Sequence, residues 1–200
     1  MAKEKVEIEV WNSSFDTVRQ GIGDETEVTF RGAHGTAIAF DKITTIAISE
    51  EISRVPSWLS RFPNLEVLDL AGSRLVRITQ DDMIILRGFP RLRHLGLAGK
   101  FTGGLPDELA ALPGLEELGL GTDGLSTLPE TLHRLVSLKK ISLSNGDYPE
   151  YIKNHFPEFP PVLLRMKGLR ELYIANVGME RFPAAKTSGL VALERLDISR

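Results

Sequence analysis

A pattern of apolar residues, apolar-x-x-apolar-x-apolar, recurs seven times along this chain of 200 residues. The copies are ITTIAI from Ile43, LEVLDL from Leu65, LRHLGL from Leu92, LEELGL from Leu115, LKKISL from Leu138, LRELYI from Leu169 and LERLDI from Leu193. Successive copies start 22, 27, 23, 23, 31 and 24 residues apart. The fourth and sixth residues of each copy alternate with polar or small ones, which predicts a strand with one buried side. The repetition predicts stacked units that bury their apolar sides against one another.

A second half follows the strand in the two most regular copies, GGLPDELAAL over residues 103–112 and GLSTLPETLHRL over residues 124–135. The Leu-Pro step and the following Leu-x-x-Leu predict a segment that returns the chain over the opposite face, where proline is tolerated because no sheet hydrogen bond is needed. Together these residues resemble the leucine-rich repeat family, of the short kind with a Leu-Pro step. The resemblance implies an α/β solenoid, with a curved parallel sheet on the concave face and short helices or turns on the convex face. It also implies a protein that binds another protein.

The chain divides into two regions on this basis. Residues 43–200 hold the seven repeat starts, the last one incomplete, and residues 1–42 are interpreted as a degenerate, β-rich N-terminal capping region. Ile8-x-Val10 and Val28-x-Phe30 are its strand-like pairs, and terminal units of solenoids are atypical because one side faces water. A small unrelated β-hairpin packed on the first repeat is an equal alternative, since GIGD and RGAHG are turn-like.

Two repeats are longer than the others. Residues 79–89 predict a convex α-helix with Thr79 as its N-cap, because an acidic start is followed by Met83, Ile84, Leu86 and Phe89. The segment 146–161 is the longest insertion, and we expect its Phe156 and Phe159 to return to the core. Its Tyr148 and Tyr151 are predicted to contribute to recognition, since tyrosines give large contact area at low entropic cost.

Composition limits the function. The net charge of −3 and the absence of cysteine argue against a nucleic-acid-binding stripe and exclude a disulfide framework or thiolate chemistry. No stretch is apolar over the length of a bilayer, and His34, His94, His133 and His155 show no metal-ligand spacing. We therefore expect no enzyme activity within these residues, no cofactor, no metal, no nucleic-acid partner and no membrane partner. MAKEKVEIEV does not form the apolar run of a signal peptide. The expected location is cytoplasmic, in a bacterial-like protein, or inside a host cell after delivery as an effector.

The candidate binding residues lie on the predicted concave face. Charges at the second and third strand positions largely alternate in sign between neighbouring repeats, which predicts a self-neutralising ladder. The fifth and seventh positions predict a floor of nearly bare backbone, made of Gly96, Ala98, Gly119, Gly121, Ser142 and Ser144. The predicted partner-binding residues are Asp69, His94, Gly96, Gly119, Lys140, Ser142, Tyr148, Tyr151 and Tyr173.

The ninth repeat position departs from the family. The Asn or Cys that usually satisfies backbone groups there is replaced by other residues, among which only Ser73 and Asp123 have a comparable side chain. Because buried backbone groups without partners are costly, other side chains must serve these turns.

The predicted function is a non-catalytic module that binds a protein partner of unknown identity through the concave face and the 146–161 insertion. The alternative is the substrate-recognition domain of a larger effector-type enzyme, such as a bacterial ubiquitin ligase. A third interpretation is self-association through the C-terminal end, where Leu193, Leu196 and Ile198 form a row with no following repeat.

Overall fold

A computed structural model describes residues 5–10, 15–18, 27–32, 39–48, 52–75, 78–99, 101, 104–121, 124–144, 153–183 and 189–199. The strands are β1 Lys5–Val10, β2 Phe15–Val18, β3 Glu27–Gly32, β4 Thr45–Ile48, β5 Val67–Leu75, β6 His94–Gly99, β7 Glu117–Leu120, β8 Lys140–Ser142, β9 Glu171–Tyr173 and β10 Arg195–Asp197. One α-helix is described, α1 at Gln80–Arg87. The 3-10 helices are Phe40–Lys42, Ser57–Arg61, Asp107–Ala111, Glu130–Arg134 and Pro161–Arg165.

One parallel sheet organises the repeats. Its order is β10-β9-β8-β7-β6-β5-β4-β2, so every sextet of the sequence pattern contributes a strand beside the next. The register pairs equivalent repeat positions: Leu68 lies opposite Leu95, Leu95 opposite Leu118, and Leu118 opposite Ile141. The predicted solenoid fold is therefore confirmed, with the apolar positions aligned in rows across the stack.

The rows form the core. The fourth and sixth residues of the first six repeats are buried, from Ile46 and Ile48 to Leu172 and Ile174. The seventh repeat differs, because Leu196 is 38% exposed and Ile198 is 45% exposed. The prediction that these two residues are buried like the rest is wrong: β10 is the edge strand of the described sheet, and no further described row covers them.

Short helices form the convex side, as the Leu-Pro steps predict. Each of four 3-10 helices follows a proline in extended conformation, at Pro56, Pro106, Pro129 and Pro160. Proline fixes φ near the value that such a start requires and has no N–H to leave unpaired. The apolar residues of each helix turn inward, as Leu109 and Leu132 show at 0% exposure. These helices close the core opposite the sheet.

The predicted α-helix is present and begins where expected. Thr79 is its N-cap and forms a capping box with Asp82, and the helix runs over Gln80–Arg87. Met83 and Leu86 are buried, but Ile84 is 61% exposed. Ile84 thus faces away from the stack, because on a helix it lies about 100° from its buried neighbour Met83.

The N-terminal strands lie where the pattern predicts them. β1 contains Ile8 and Val10, β3 contains Val28 and Phe30, and the two pair in parallel as a separate two-stranded sheet. β2 pairs in parallel with β4 at one edge of the main sheet. A hairpin would pair its strands antiparallel, so the hairpin alternative is wrong for these strands. The boundary at residue 42 and the capping role of residues 1–42 stay predictions.

The described part of the long insertion, residues 153–161, folds back onto the stack. Phe156 is 1% exposed and Phe159 is 6% exposed, as expected, and Phe159 packs edge-to-face against Phe182 at 5.4 Å between ring centroids. The backbone N–H of His155 donates to the carbonyl of Leu125, at 2.8 Å between nitrogen and oxygen. Tyr148 and Tyr151 lie outside the described residues.

Candidate functional site

Charged side chains on the concave face pair along the stack. Glu116 accepts from Lys139 at 2.7 Å and lies 3.9 Å from Arg93, so one carboxylate connects three neighbouring repeats. In the next column, one carboxylate oxygen of Glu117 lies 3.2 Å from Nδ1 of His94 and 3.3 Å from Nζ of Lys140. The self-neutralising ladder predicted from the alternating signs is therefore present, and both His94 and Lys140 belong to it.

The hydrogen bond from Lys139 lowers the pKa of the Glu116 carboxyl, and the positive charges of Lys139 and Arg93 act in the same direction. Burial acts in the opposite direction and is outweighed. At the end of the sheet, hydrogen bonding by Tyr173 raises the pKa of Arg195. Both shifts favour the charged form of the group concerned, the Glu116 carboxylate and the Arg195 guanidinium.

Replacing Glu116 with glutamine should destabilise the folded chain at neutral pH and have a smaller effect in acid. Because the folded state lowers this pKa, the stabilisation is present above the ordinary carboxyl value of 4.5 and is lost as the pH falls through the lowered folded value. Urea unfolding of both proteins from pH 7 to pH 3 should show the stability difference narrowing below about pH 4.5. The difference should also shrink in high salt, since exposed pairs are screened. A difference that stays constant across this pH range would contradict the assignment.

Small residues form a floor on the concave face, but it is narrower than predicted. Gly96 is buried, because the carboxylate of Asp69 covers it: a Cβ placed on Gly96 would lie 2.5 Å from Oδ1 of Asp69. Ala98 is also buried, at 4% exposure. The expectation of open backbone is therefore wrong at Gly96 and Ala98. The remaining open floor consists of the partly exposed residues Gly119, Gly121, Ser142 and Ser144.

Asp69 and Tyr173 bound this floor on its two sides. The register places Asp69, Gly96, Gly119, Ser142 and Tyr173 opposite one another on five consecutive strands. Asp69 is fixed by the amide of Ala71, which donates to its Oδ1 at 2.9 Å. Five of the seven strand residues in the predicted site therefore lie on one line across the sheet, and His94 and Lys140 lie beside it.

Tyr173 is held by three neighbours. Its hydroxyl donates to Glu171 at 2.7 Å and accepts from Arg195 at 3.0 Å. Nζ of Lys140 lies 5.9 Å from the centroid of its ring, within the range of a cation–π contact. These contacts within the chain orient the ring, which remains partly exposed.

Asn154 satisfies backbone groups of the turns that follow the strands, a role that sequence reasoning missed. Its Nδ2 donates to the carbonyls of Leu120, at 2.6 Å, and Leu143, at 3.0 Å. Its Oδ1 accepts from the amide of Leu125 at 2.9 Å. The side chain is 1% exposed. The missing ninth-position asparagine indicated that such a residue had to exist, although nothing in the repeat pattern placed it in the insertion.

Asp82 performs a similar task between the convex helix and the repeat before it. Its Oδ1 accepts from the amide of Val55 at 2.7 Å, and its Oδ2 accepts from the amide and the hydroxyl of Thr79, each at 2.7 Å. It is 1% exposed. The Thr79-x-x-Asp82 spacing resembles a capping box and could have identified the local half of this role, but not the contact with Val55.

The described residues contain no group of three or more His, Asp or Glu side chains that could hold a metal ion. In the same part of the chain, no helix has the length and hydropathy to cross a bilayer. A cleft of about 480 Å³ lies at the β10 end, lined mainly by apolar residues that include Ile174, Met179, Phe182 and Ile198. The surface chemistry described so far is that of paired charges, small residues and one fixed aromatic ring.

Solved structures share this architecture. An internalin (inlF) from Listeria monocytogenes matches with a TM-score of 0.54 at 18% identity, over 87% of this chain and 48% of its own. The leucine-rich repeat domain of the type III effector XCV3220 (XopL) matches with a TM-score of 0.50 at 15% identity, over 80% of this chain and 62% of its own. The fold is that of the leucine-rich repeat proteins. The chain thus spans about half of the internalin and under two thirds of the effector domain.

Sequence comparison adds no closer relationship. Neither a family model nor a curated protein matches the chain. At identities of 15% and 18%, the likeness to solved leucine-rich repeat structures concerns the fold, and function has to be argued from the site.

Proposed function

We propose that this chain is a protein-binding module whose partner contacts the concave face and the 146–161 insertion. The proposal rests on the line of residues from Asp69 to Tyr173. The small residues Gly119 and Ser142 leave an open floor there, and the side chains of Asp69 and Tyr173, each held by hydrogen bonds, lie on either side of it. Small residues let a partner's backbone approach closely, and a fixed aromatic ring beside them is a suitable anchor because little entropy is lost when it is contacted.

We call the surface between Asp69 and Tyr173, with Gly119 and Ser142 at its base, the concave trough. Its dimensions suit a helix or an extended segment. Asp69 and Tyr173 are four strands apart, which corresponds to about 19 Å at 4.8 Å per strand. A helix with its side chains is about 10–12 Å wide. The proposed contacts are Asp69, His94, Gly119, Lys140, Ser142 and Tyr173, with Gly96 beneath Asp69, and Tyr148 and Tyr151 from the insertion.

Filling the trough should abolish partner binding without unfolding the protein. A Cβ at Gly119 would meet its nearest neighbours, the Cα of Gly96 and the carbonyl oxygen of Leu95, at 3.6 Å and 4.0 Å, which are ordinary contacts. Gly119→Trp should therefore fold normally and project its ring over the floor. Ile84→Trp, at a 61% exposed position of the convex helix, is the matched control.

The measurement is a quantitative pull-down from cell lysate, followed by affinity titration of any protein retained. A true partner is retained by the native protein and by Ile84→Trp, and is lost with Gly119→Trp. Partners that Gly119→Trp retains fully would refute binding through the trough.

The insertion has its own test. Replacing both Tyr148 and Tyr151 with alanine should weaken binding of the same partner at least tenfold, about 1.4 kcal/mol, and leave the melting temperature nearly unchanged. Loss of the fold, or unchanged affinity, would remove these tyrosines from the proposed site.

A second candidate function is substrate recognition for a larger effector-type enzyme, such as a bacterial ubiquitin ligase. The shared fold with the repeat domain of a type III effector favours it. The same shared fold favours a bacterial origin for this protein, with a location in the cytoplasm or in a host cell after delivery. The natural reading frame and the ubiquitination of captured partners in the presence of the full protein distinguish this candidate from a simple binding module.

A third candidate is self-association at β10. Leu196 and Ile198 are 38% and 45% exposed on this edge strand, and an uncovered strand edge can pair with another chain. Sedimentation velocity of the native protein and of Leu196→Lys tests this candidate. If the chain self-associates through β10, the native protein sediments as a dimer and the variant as a monomer.

A further inference from the structure

The convex helices run in the same direction, and their acidic and basic residues lie mainly at opposite ends. Each leads into the turn before the next strand, so their C-terminal ends lie along one edge of the stack. Their first turns carry Asp81, Asp82, Asp107, Glu108 and Glu130, and their last turns carry Arg61, Arg87, His133, Arg134 and Arg165. This distribution complements the helix dipoles. Four of these five helices have a basic last turn, the exception being Asp107–Ala111.

Six of the seven turns along that edge contain no acidic residue. We call the turns 61–64, 87–91, 111–114, 134–137, 165–168 and 189–192 the corner edge. It carries Arg61, Arg87, Arg91, Arg134, Arg165 and Lys167 and no Asp or Glu, in a chain with 27 acidic and 24 basic residues. The equivalent turn before the first repeat holds Asp41, which lies 3.8 Å from Lys42. The corner edge is thus locally basic although the whole chain is slightly acidic.

A row of exposed apolar side chains lies within the corner edge. In the second to seventh repeats the residue two positions before the sextet is exposed. It is Lys167 in the sixth repeat and apolar in the other five, at Pro63, Pro90, Pro113, Val136 and Val191. Val136 is 78% exposed and Val191 is 75% exposed. Neighbouring repeats are about 4.8 Å apart, so the six turns form a row about 24 Å long.

Three of the basic side chains have no partner within the described part of the chain. Arg91, Arg134 and Lys167 form no ion pair or side-chain hydrogen bond there, and all three are exposed. Arg165, by contrast, donates to Glu130 at 2.9 Å and contacts Nε2 of His133 at 3.0 Å. Glu116 and Glu194, at the second position of their sextets, accept hydrogen bonds from Lys139 and Arg170. The positive charges of Arg91, Arg134 and Lys167 are therefore not neutralised by any described residue.

We propose that the corner edge is a second interaction surface, which binds an extended acidic segment of a protein partner. Carboxylates of the segment form charge-assisted hydrogen bonds with Arg91, Arg134 and Lys167, and its apolar atoms lie along the proline and valine row. A row of about 24 Å accommodates roughly eight residues of extended chain at about 3.3 Å each. The corner edge carries no exposed aromatic ring on which a base could stack, which favours a peptide over a nucleic acid.

The test uses a fluorescein-labelled peptide of five Glu-Pro repeats, which is extended before it binds, titrated by anisotropy at low salt. We expect saturable binding that weakens as salt is added, and none with the matching Gln-Pro peptide. Arg134→Glu/Lys167→Glu should weaken binding at least tenfold. The control Lys153→Glu/Arg181→Glu changes the net charge equally at exposed positions away from the corner edge and should change the dissociation constant less than twofold.

Several outcomes overturn the proposal. These are the absence of saturable binding by the Glu-Pro peptide, an equal loss in the two charge-reversed variants, and binding of phosphatidylserine vesicles or of RNA through Arg134 and Lys167 without peptide binding. Gly119→Trp should bind the peptide normally, which separates the corner edge from the concave trough. Where the double Glu variant does not fold, Arg134→Gln/Lys167→Gln replaces it, with a loss of at least threefold expected and unchanged affinity counting against the proposal.

Discussion

Replacing Leu118 with alanine should lower the free energy of unfolding by about 2–5 kcal/mol, since buried Leu→Ala changes lose transfer energy and leave a cavity. Leu118 is 1% exposed on β7. It lies between Leu95 and Ile141 in the row that runs across the stack. The rigid neighbours on both sides cannot close the cavity without disturbing the register of the sheet.

Leu196→Ala is the matched control, because Leu196 occupies the same repeat position on the edge strand β10. It is 38% exposed, so its truncation should cost well under half as much as that of Leu118. Urea unfolding of the two variants and of the native protein measures both effects. Equal costs at the two positions would show that the row does not stabilise the fold through burial.

The strands and their register were predictable because two constraints coincide in the sequence. Alternation at the fourth and sixth positions identifies each strand, and the repetition of the sextet requires equivalent positions to lie side by side. These two constraints alone place Leu68, Leu95 and Leu118 opposite one another. The same argument predicted the charge ladder, since Arg93, Glu116 and Lys139 share one column.

The floor of the site was less predictable because it depends on side-chain conformation. The register could place Asp69 opposite Gly96, but not show that the carboxylate folds over the glycine, where it is held by the amide of Ala71. A pattern of small residues predicts where a strand leaves space, but it does not predict which neighbouring side chain occupies that space. The binding role of the whole residue set, including Tyr148 and Tyr151, stays a prediction.

The insertion illustrates where a repeat pattern stops being informative. Its phenylalanines could be assigned to the core because they approach the regular Leu163 and Met166. Asn154 could not be assigned, since it bonds backbone groups of Leu120, Leu125 and Leu143, which lie in two other turns 11 to 34 residues away. An irregular segment contributes contacts that no periodicity describes.

Replacing Asn154 with alanine should lower the free energy of unfolding by about 3–5 kcal/mol. The change leaves the amide of Leu125 and the carbonyls of Leu120 and Leu143 without their buried partner, and each such group costs about 1–3 kcal/mol when it cannot reach water. The upper part of the summed range is not expected, because the cavity left by the side chain can admit a water molecule that bridges some of these groups.

Two further variants make the Asn154 prediction specific. Asn64→Ala is the matched control, since Asn64 makes one exposed hydrogen bond, from Nδ2 to the carbonyl of Asp41 at 2.8 Å, and should cost less than about 1 kcal/mol. Asn154→Asp keeps the acceptor for Leu125 but turns an oxygen toward the carbonyls of Leu120 and Leu143, so it should be no more stable than Asn154→Ala. Hydrogen exchange adds a local readout: the amide of Leu125 should exchange faster in Asn154→Ala and stay protected in Asn64→Ala. If Asn154→Ala unfolds at the same urea concentration as the native protein, Asn154 does not replace the missing asparagine of the repeats.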